Sequence, residues 1–395
     1  MRLLIIQYGG YYRETYQRLV NGEKEIYGYQ KYSVDYVAKL AETLEELTTI
    51  CVSSKDSYNE LLKPKLRAIG LGLKNNYDQQ KIKQNISQYI QQLKPDKLIL
   101  RFPSPEILSL AIKYKISTLT TFSDYIENKT IKQKIKNYFL AKQLNNSSIN
   151  WVANHGIYAS KTLQYIGVNP NKIIPWDWPN DKFYEDFITK TKPKDNENIS
   201  ILYCGSIIEQ KGVGDVIKAI NILNKQRLYL TLNIAGKGDI DKFSTLAKNL
   251  KIDNQIKFLG VVNHNQVFSL MRNSDLIIIP SRTEYAEGFP KVIKEALTCK
   301  TPIVASNHPV FVNKLINEVN AMIFPSGDSL ALANSIKKVL SNDDLYHKLS
   351  LNSAETLLNL EIPCNFGELI DHWLSNTQED IDWLLQHNLT SNYYI

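Results

Sequence analysis

The sequence predicts an α/β protein made of two doubly wound domains, each a parallel sheet with helices on both faces. Three observations carry that prediction. Short apolar runs of strand length alternate with segments of helical periodicity from the N-terminus to about residue 178; a polar, charged stretch then interrupts the pattern; and the alternation restarts near residue 200. At 395 residues the chain is long enough for two cores of ordinary size. Doubly wound sheets bind ligands beyond the carboxyl ends of their strands, so two such domains imply a cleft between them.

Each element follows from its residues. RLLIIQY, from Arg2, reads as a buried strand closed by a tight turn at Gly9 and Gly10. The tyrosine-rich segment from Tyr11 to Tyr32 suits stacking on a sugar or lipid, and equally suits packing on its own domain. Ser33 is placed to cap VDYVAKLAETLEEL, where Val34, Val37, Leu40, Leu44 and Leu47 recur at helical spacing before TTICVS returns as a strand. DKLILRF (96–102), a helix over PEILSLAIKYK, ISTLTTF (116–122), a basic helix and INWVAN (149–154) continue the pattern. NDKFYEDFITKTKPKDNENI (180–199) has the composition of a linker. Beyond it, the strands ISILYCGS, LYLTLNIAG, QIKFLG, SDLIIIPS and TPIVAS alternate with helices at 214–223, over DIDKFSTLAKNL, at 266–271 and over KVIKEALT. The expected organisation is a first domain over 1–180, a linker over 181–199, a second domain over 200–360 and a helical tail over 361–395 that packs back toward the first domain.

Composition narrows the function classes. The chain is 43% hydrophobic and 22% charged, with a net charge of +7 that favours anionic partners. The charge alone does not make a nucleic-acid binder, and no nucleic-acid-binding module pattern is present. Cys51, Cys204, Cys299 and Cys364 lie far apart, outside any CxxC or Cys/His cluster, which argues against a disulfide framework or a zinc site. The N-terminal apolar run is too short for a secretory signal, and no run approaches the ~20 residues of a membrane span, so a cytoplasmic location, free or peripheral to a membrane, is expected. A dinucleotide-dependent oxidoreductase is disfavoured because GGYYRE and AGKGD lack a complete G-x-G-x-x-G.

The chemistry concentrates in SRTEYAEGFPKVIKEALTCKTPIVAS (281–306). SDLIIIP puts Ser281 to Glu287 at the carboxyl end of a buried strand, and Pro290 fits the first position of the following helix, where its missing N–H costs nothing. The free amides and positive dipole end of such a helix form an anion site. Glu287 stands just before it, and Glu295 lies beside the stripe of Val292, Ile293, Ala296 and Leu297. Carboxylates flanking a diphosphate pocket suit hydrogen bonding to sugar hydroxyls, while an isolated Glu295 would suit a surface pair with Lys291 at i,i+4.

YCGSIIEQKGVGDVIKAI (203–220), LNIAGKGD (232–239), IKFLGVV (256–262) and EGFPKVIKEALTCKTPIVAS (287–306) together resemble, in order and spacing, the successive blocks of the family-four retaining glycosyltransferases of GT-B fold. The resemblance covers 200–345 well and 95–178 more loosely, where VNPNKIIPWDWP replaces the usual strand and turn leading out of the first domain. It implies roles position by position. Glu287 contacts the donor sugar near the reacting carbon, and Glu295 the ribose hydroxyls. Lys211 sits on the donor diphosphate, while Gly205, Gly236 and Gly238 let the nucleotide approach the backbone, with Val261 and Val262 near the base. Gly288, Phe289, Lys291 and Val292 complete the donor block. Glu284 is out of register and reads as a solvated loop residue. Ser206 stands where the family usually has a second diphosphate cation, an arginine, and Arg282 or Lys237 is the candidate replacement.

The implied reaction moves a sugar from a nucleotide diphosphate sugar, a co-substrate and not a cofactor, to a glycan or lipid-linked acceptor, with retention and without a metal. No D-x-D lies at a nucleotide-facing strand end; the two present are Asp239 to Asp241 and Asp380 to Asp382. By the same resemblance the first domain holds the acceptor, with Gly9 and Gly10 near the donor phosphates. Ser123 and Asp124 occupy a loop where relatives carry a histidine, and His155 is the candidate substitute. The missing arginine and histidine keep a second reading open, a catalytically weak sugar-nucleotide-binding partner of an active transferase.

One further segment has its own character. NKTIKQKIKNYFLAKQL (128–144) carries five lysines and no acid, with Ile131, Ile135 and Phe139 four apart. Such a helix either lies in the interface of an anionic membrane or covers the sheet of its own domain. KPKLRAIGLGLK (63–74) is a second basic stretch in the same domain.

Overall fold

The computed structural model describes residues 1–23, 25, 29–74, 78–179, 187–193, 198–285, 287, 291–312 and 314–394. Two compact units result: Met1–Glu25, Tyr29–Pro179 and Ile362–Ile395 make up one, and Asn180–Glu361 falls in the other. Of the stretch read as a linker, residues 181–186 and 194–197 lie outside the described residues.

The first unit is built on eight strands, β1 (Arg2–Gln7), β2 (Glu46–Cys51), β3 (Ser57–Lys63), β4 (Leu66–Leu71), β5 (Lys97–Leu100), β6 (Ser117–Phe122), β7 (Ile149–His155) and β8 (Ile173–Trp176), in the order β3-β4-β2-β1-β5-β6-β7-β8. Its helices are α1 (Tyr12–Val20), α2 (Gln30–Thr43), α3 (Gln79–Leu93), α4 (Pro105–Lys113), α5 (Ile131–Leu144) and α6 (Ile157–Tyr165). The sheet is buried on both faces: Leu4 and Ile6 join one apolar cluster, Leu3 and Ile5 the other. That is why the strand reads as an unbroken apolar run and not as an alternation.

The structure departs from the sequence expectations at five points. The sheet is not wholly parallel, because β3 pairs antiparallel with β4 at one edge. The basic stretch 63–74 contains β4, whose Leu66, Ala68, Ile69 and Leu71 are buried, while Lys63 pairs with Glu42 at 2.8 Å and Arg67 with Glu46 at 3.2 Å. Ser33 does not cap α2: the helix starts at Gln30 behind Tyr29 at φ 61°, with no side-chain cap, and Gln30 is buried and accepts from Arg18 at 2.9 Å, so tertiary contacts set the start. Leu47 accordingly leaves the helical stripe and belongs to β2. VNPNKIIPWDWP supplies the strand it was read as replacing, since Ile173–Trp176 pairs parallel with β7.

The second unit has six parallel strands, β9 (Ile199–Cys204), β10 (Leu230–Ala235), β11 (Ile256–Gly260), β12 (Leu276–Ile279), β13 (Ile303–Ser306) and β14 (Met322–Phe324), in the order β11-β10-β9-β12-β13-β14. Around them lie α7 (Val213–Lys225), α8 (Ile240–Asn249), α9 (His264–Arg272), α10 (Lys291–Thr298), α11 (Pro309–Val312), α12 (Ser329–Leu340), α13 (Asp343–Leu351) and α14 (Ser353–Leu358).

After Glu361 the chain rejoins the first unit as two helices, α15 (Phe366–Ser375) and α16 (Gln378–Gln386). Asn376 at φ 56° ends the first, and Thr377 with Asp380 forms a capping box for the second. Phe366, Leu369, Ile370 and Trp373 enter the same cluster as Leu3, Ile5 and Leu47. Lys97 reinforces the join, its Nζ donating to the carbonyls of Trp373 at 2.6 Å and Leu374 at 3.1 Å.

Candidate functional site

In the second unit the strand order reverses between β9 and β12. Chains leaving two neighbouring strands in opposite directions open a crevice beyond their carboxyl ends. The loops after β9, β10 and β12 meet at this end. The first two are tied together: the N–H of Ile207 donates to the carbonyl of Lys237 and that of Asp239 to the carbonyl of Ile207, both at 2.8 Å. Gly236 permits the approach, with φ 149° and a carbonyl oxygen of Gly205 1.8 Å from where a Cβ would stand. Gly212, at φ 73°, plays the same part against the carbonyl of Pro280, 2.2 Å from its absent Cβ, and so lets the turn Glu209–Lys211 lie against the end of β12.

That contact brings Lys211 to Glu287. Lys211 Nζ is ion-paired with Glu287 Oε1, and Ser281 Oγ donates to the same oxygen at 2.7 Å. Glu287 is 7% exposed, and the lysine also stands 4.4 Å from the centre of the Tyr285 ring. Ser281 is held in turn by Ser306, whose Oγ donates to its carbonyl at 2.6 Å. His308 is fully buried. Its Nδ1 accepts from the N–H of Val310 at 3.3 Å, so Nε2 carries the proton and donates to the carbonyl of Tyr285 at 3.0 Å. Burial pushes the pKa of this imidazole below its ordinary value, which keeps it neutral. Sequence reading passed over His308; the signal was a histidine and proline just after the apolar run of β13, at the same sheet end.

Arg282 has a different task from the one expected. Its Nε and Nη2 donate to both oxygens of Asp215 at 2.8 and 2.9 Å, and Nη2 also reaches Glu209 at 2.8 Å. Its backbone N–H donates to the carbonyl of Gln210 at 2.9 Å, and Lys242 pairs with the other oxygen of Glu209 at 2.9 Å. The guanidinium is thus committed to carboxylates and is not a free replacement for an arginine at 206. It clamps the turn bearing Lys211 to the loop bearing Glu287. Ser206 is exposed, with its carbonyl accepting from Tyr203 at 2.6 Å, and Lys237 is exposed as well.

Glu295 is half-buried on α10, close enough to the end of β9 to help burial push the Cys204 thiol up to about 12. Lys291 and Val292 are half-buried at the start of that helix, Val262 is half-buried beyond β11, and Glu284 is exposed. Gly288, Phe289 and Pro290 lie outside the described residues. The structure therefore gathers Lys211, Glu287, Glu295, Gly205, Ser206, Gly236 and Gly238 at one sheet end.

In the first unit the order reverses between β1 and β5, and Gly9 and Gly10 follow β1 at that point. Ser123 and Asp124 are exposed after β6, the carbonyl of Asp124 accepting from Asn154 at 3.0 Å. His155 is buried at the end of β7, its Nε2 2.9 Å from Asp177 Oδ1 and its ring against Trp176. Among the described residues no group of three or more His, Cys, Asp or Glu side chains is arranged to hold a metal, and no helix is long and apolar enough to cross a membrane.

Residues 185–356 match the family model described as glycosyl transferases group 1. An uncharacterized glycosyltransferase of Methanocaldococcus jannaschii is 30% identical over 178 residues, 44% of each chain. The amylovoran biosynthesis glycosyltransferase AmsK of Erwinia amylovora is 27% identical over 153 residues, 38% of each. The matched stretch spans about half or less of the length of these curated relatives. Over nearly the whole chain the fold is that of Anabaena HepE, solved in complex with UDP, with a TM-score of 0.63 at 15% identity, covering 95% of this chain and 100% of that one. The reversed parallel sheet with the paired Lys211 and Glu287 at its switch point thus lies inside the stretch that matches the glycosyl transferases group 1 model, and the chain that carries it has the two-sheet GT-B fold.

Proposed function

We propose that this chain is a retaining glycosyltransferase that moves one sugar from a nucleotide diphosphate sugar to a glycan or lipid-linked acceptor, in the assembly of a cell-surface polysaccharide or glycolipid. The observation that carries the reading is the buried Lys211–Glu287 pair at the strand-order reversal of a group 1 domain. Departure of a nucleotide diphosphate leaves an oxocarbenium-like carbon and a growing negative charge on phosphate. Lys211 and the amides opening α7 and α10 supply positive charge at that point, so the proposed step needs neither metal nor cofactor. Glu287 receives sugar hydroxyls beside the reacting carbon, Glu295 receives the ribose, and the departing phosphate takes the acceptor proton. In this reading Gly9, Gly10, Ser123 and Asp124 belong to the acceptor side, while the commitment of His155 to Asp177 favours a positioning role for that histidine.

Thermal-shift screening of UDP, GDP, ADP and their sugars tests the donor site, with UDP first because HepE has been solved with UDP-glucose. One nucleotide should raise the melting temperature, and the matching sugar nucleotide should be hydrolysed slowly by the purified chain. No shift with any of them would sink the proposal. A second reading, a weak sugar-nucleotide-binding partner of an active transferase, is favoured by one observation: Ser206 carries no charge and Arg282 is engaged elsewhere. Nucleotide binding without any donor hydrolysis would select it.

A further inference from the structure

Helix α5 has two apolar faces. One is buried: Leu140, Ala141 and Leu144 join the core of the first unit, and Asn137 is anchored by donating to the carbonyl of Glu127 at 2.8 Å. The other is not. Ile131 is 77% exposed, Ile135 58%, Tyr138 65% and Phe139 58%. With 3.6 residues per turn these four fall in an arc of about 100° on the side away from the buried residues. Lys142 lies within that arc, Lys134 borders it on one side, and Lys132 and Lys136 border it on the other, all exposed. A capping box at Thr130 and Gln133 fixes the helix start, and Tyr138 and Phe139 touch edge to face at 5.5 Å. Four large exposed apolar side chains in one stripe form a patch of the kind that marks a binding surface.

We propose that this outer face of α5 docks the protein onto an anionic lipid bilayer. The charges choose the occupant. From Asn128 to Asn146 there are five lysines and no acid, so a second copy laid on the same face by twofold symmetry would set lysine against lysine. A leaflet with acidic headgroups meets both features at once: the apolar stripe sinks to the headgroup boundary while the flanking lysines, with their long stems, keep their ammonium groups at the phosphates. The other basic stretch, 63–74, does not share this role, because its strand is buried and Lys63 and Arg67 are paired within the unit. The inference is independent of the donor chemistry.

Co-sedimentation of the full chain with vesicles tests it. Binding is expected to phosphatidylcholine vesicles containing phosphatidylglycerol, weak or none to phosphatidylcholine alone, and to fall as salt is raised. The triple change Lys132→Glu, Lys134→Glu, Lys136→Glu should lower partitioning about a hundredfold or more, since each surface lysine contributes on the order of a fivefold gain. Ile135→Ser with Phe139→Ser should lower it by at least about tenfold at unchanged charge. All five side chains are exposed, so thermal unfolding should match the unchanged protein. Hydrogen exchange of the unchanged chain on vesicles gives a readout free of any variant, with protection expected over 128–144. Failure to bind anionic vesicles at low salt, binding indifferent to both variants, or protection confined to another segment would overturn the proposal. So would a concentration-dependent dimer abolished by Phe139→Ser, which would assign the face to a second copy.

Discussion

The two sheets of this protein share one plan and differ in what they carry at its critical point. In both, strand order reverses beside the first strand of the unit, between β1 and β5 in one and between β9 and β12 in the other. Behind β1 come Gly9 and Gly10, with little side-chain chemistry of their own; behind β9 and β12 come Lys211 and Glu287, paired and backed by Ser281, Tyr285 and His308. Topology supplies the crevice in both sheets, while the loop residues decide what charge and hydrogen-bonding groups stand at it.

Glu287→Gln should have the most severe consequence. It should cut sugar transfer by about a thousandfold or more with nucleotide binding retained, and Lys211→Ala should cost about a hundred- to a thousandfold, read as kcat on a confirmed donor. Near-normal turnover in either would move the chemistry away from the β9–β12 end. Arg282→Ala comes next. It strands the carboxylate of Asp215, whose side chain is 3% exposed, and should cost about 3 kcal/mol in urea unfolding, with Arg282→Lys restoring only part because lysine lacks the fork that spans both oxygens. Glu295→Gln should weaken nucleotide binding by about 1 to 3 kcal/mol, measured by calorimetry, without changing the unfolding midpoint.

The first unit provides the contrast. His155→Ala leaves Asp177 buried without its imidazole and should lower stability by about 1 to 3 kcal/mol, a structural effect visible in the melting temperature. If the histidine proved thermally neutral yet essential to transfer, the first unit would hold more chemistry than its loops suggest. Glu284→Gln is the smallest expected change, within about 0.5 kcal/mol and without effect on turnover, because the side chain is exposed on the loop.

Much of this was legible in the sequence, and the gaps have physical causes. Buried parallel strands are unbroken apolar runs, so β1, β5 and β12 could be read directly, and the spacing of Lys211, Glu287 and Glu295 survived into one sheet end. The clamp at Arg282 could not be read, because its partners Asp215 and Glu209 are 67 and 73 residues away and nothing local marks them. Edge hairpin β3–β4 was hidden by the charges that an edge strand carries on its open side. Helix α5 shows the limit most clearly. Periodicity identifies which residues share a face, yet this helix has apolar residues on two faces, and only the packed fold shows that the sheet takes Leu140, Ala141 and Leu144 and leaves Ile131, Ile135 and Phe139 outside.

The return of α15 and α16 to the first unit bears on how the chain matures during synthesis. Leu3, Ile5 and Leu47 emerge from the ribosome early, but Phe366, Leu369 and Trp373, which close their cluster, emerge only after the whole second unit. The second unit can therefore fold on emergence from contiguous sequence, while the first must wait with an apolar sheet face uncovered. A nonsense codon before Ile362 would release a protein whose second unit is complete and whose first sheet is a target for chaperones.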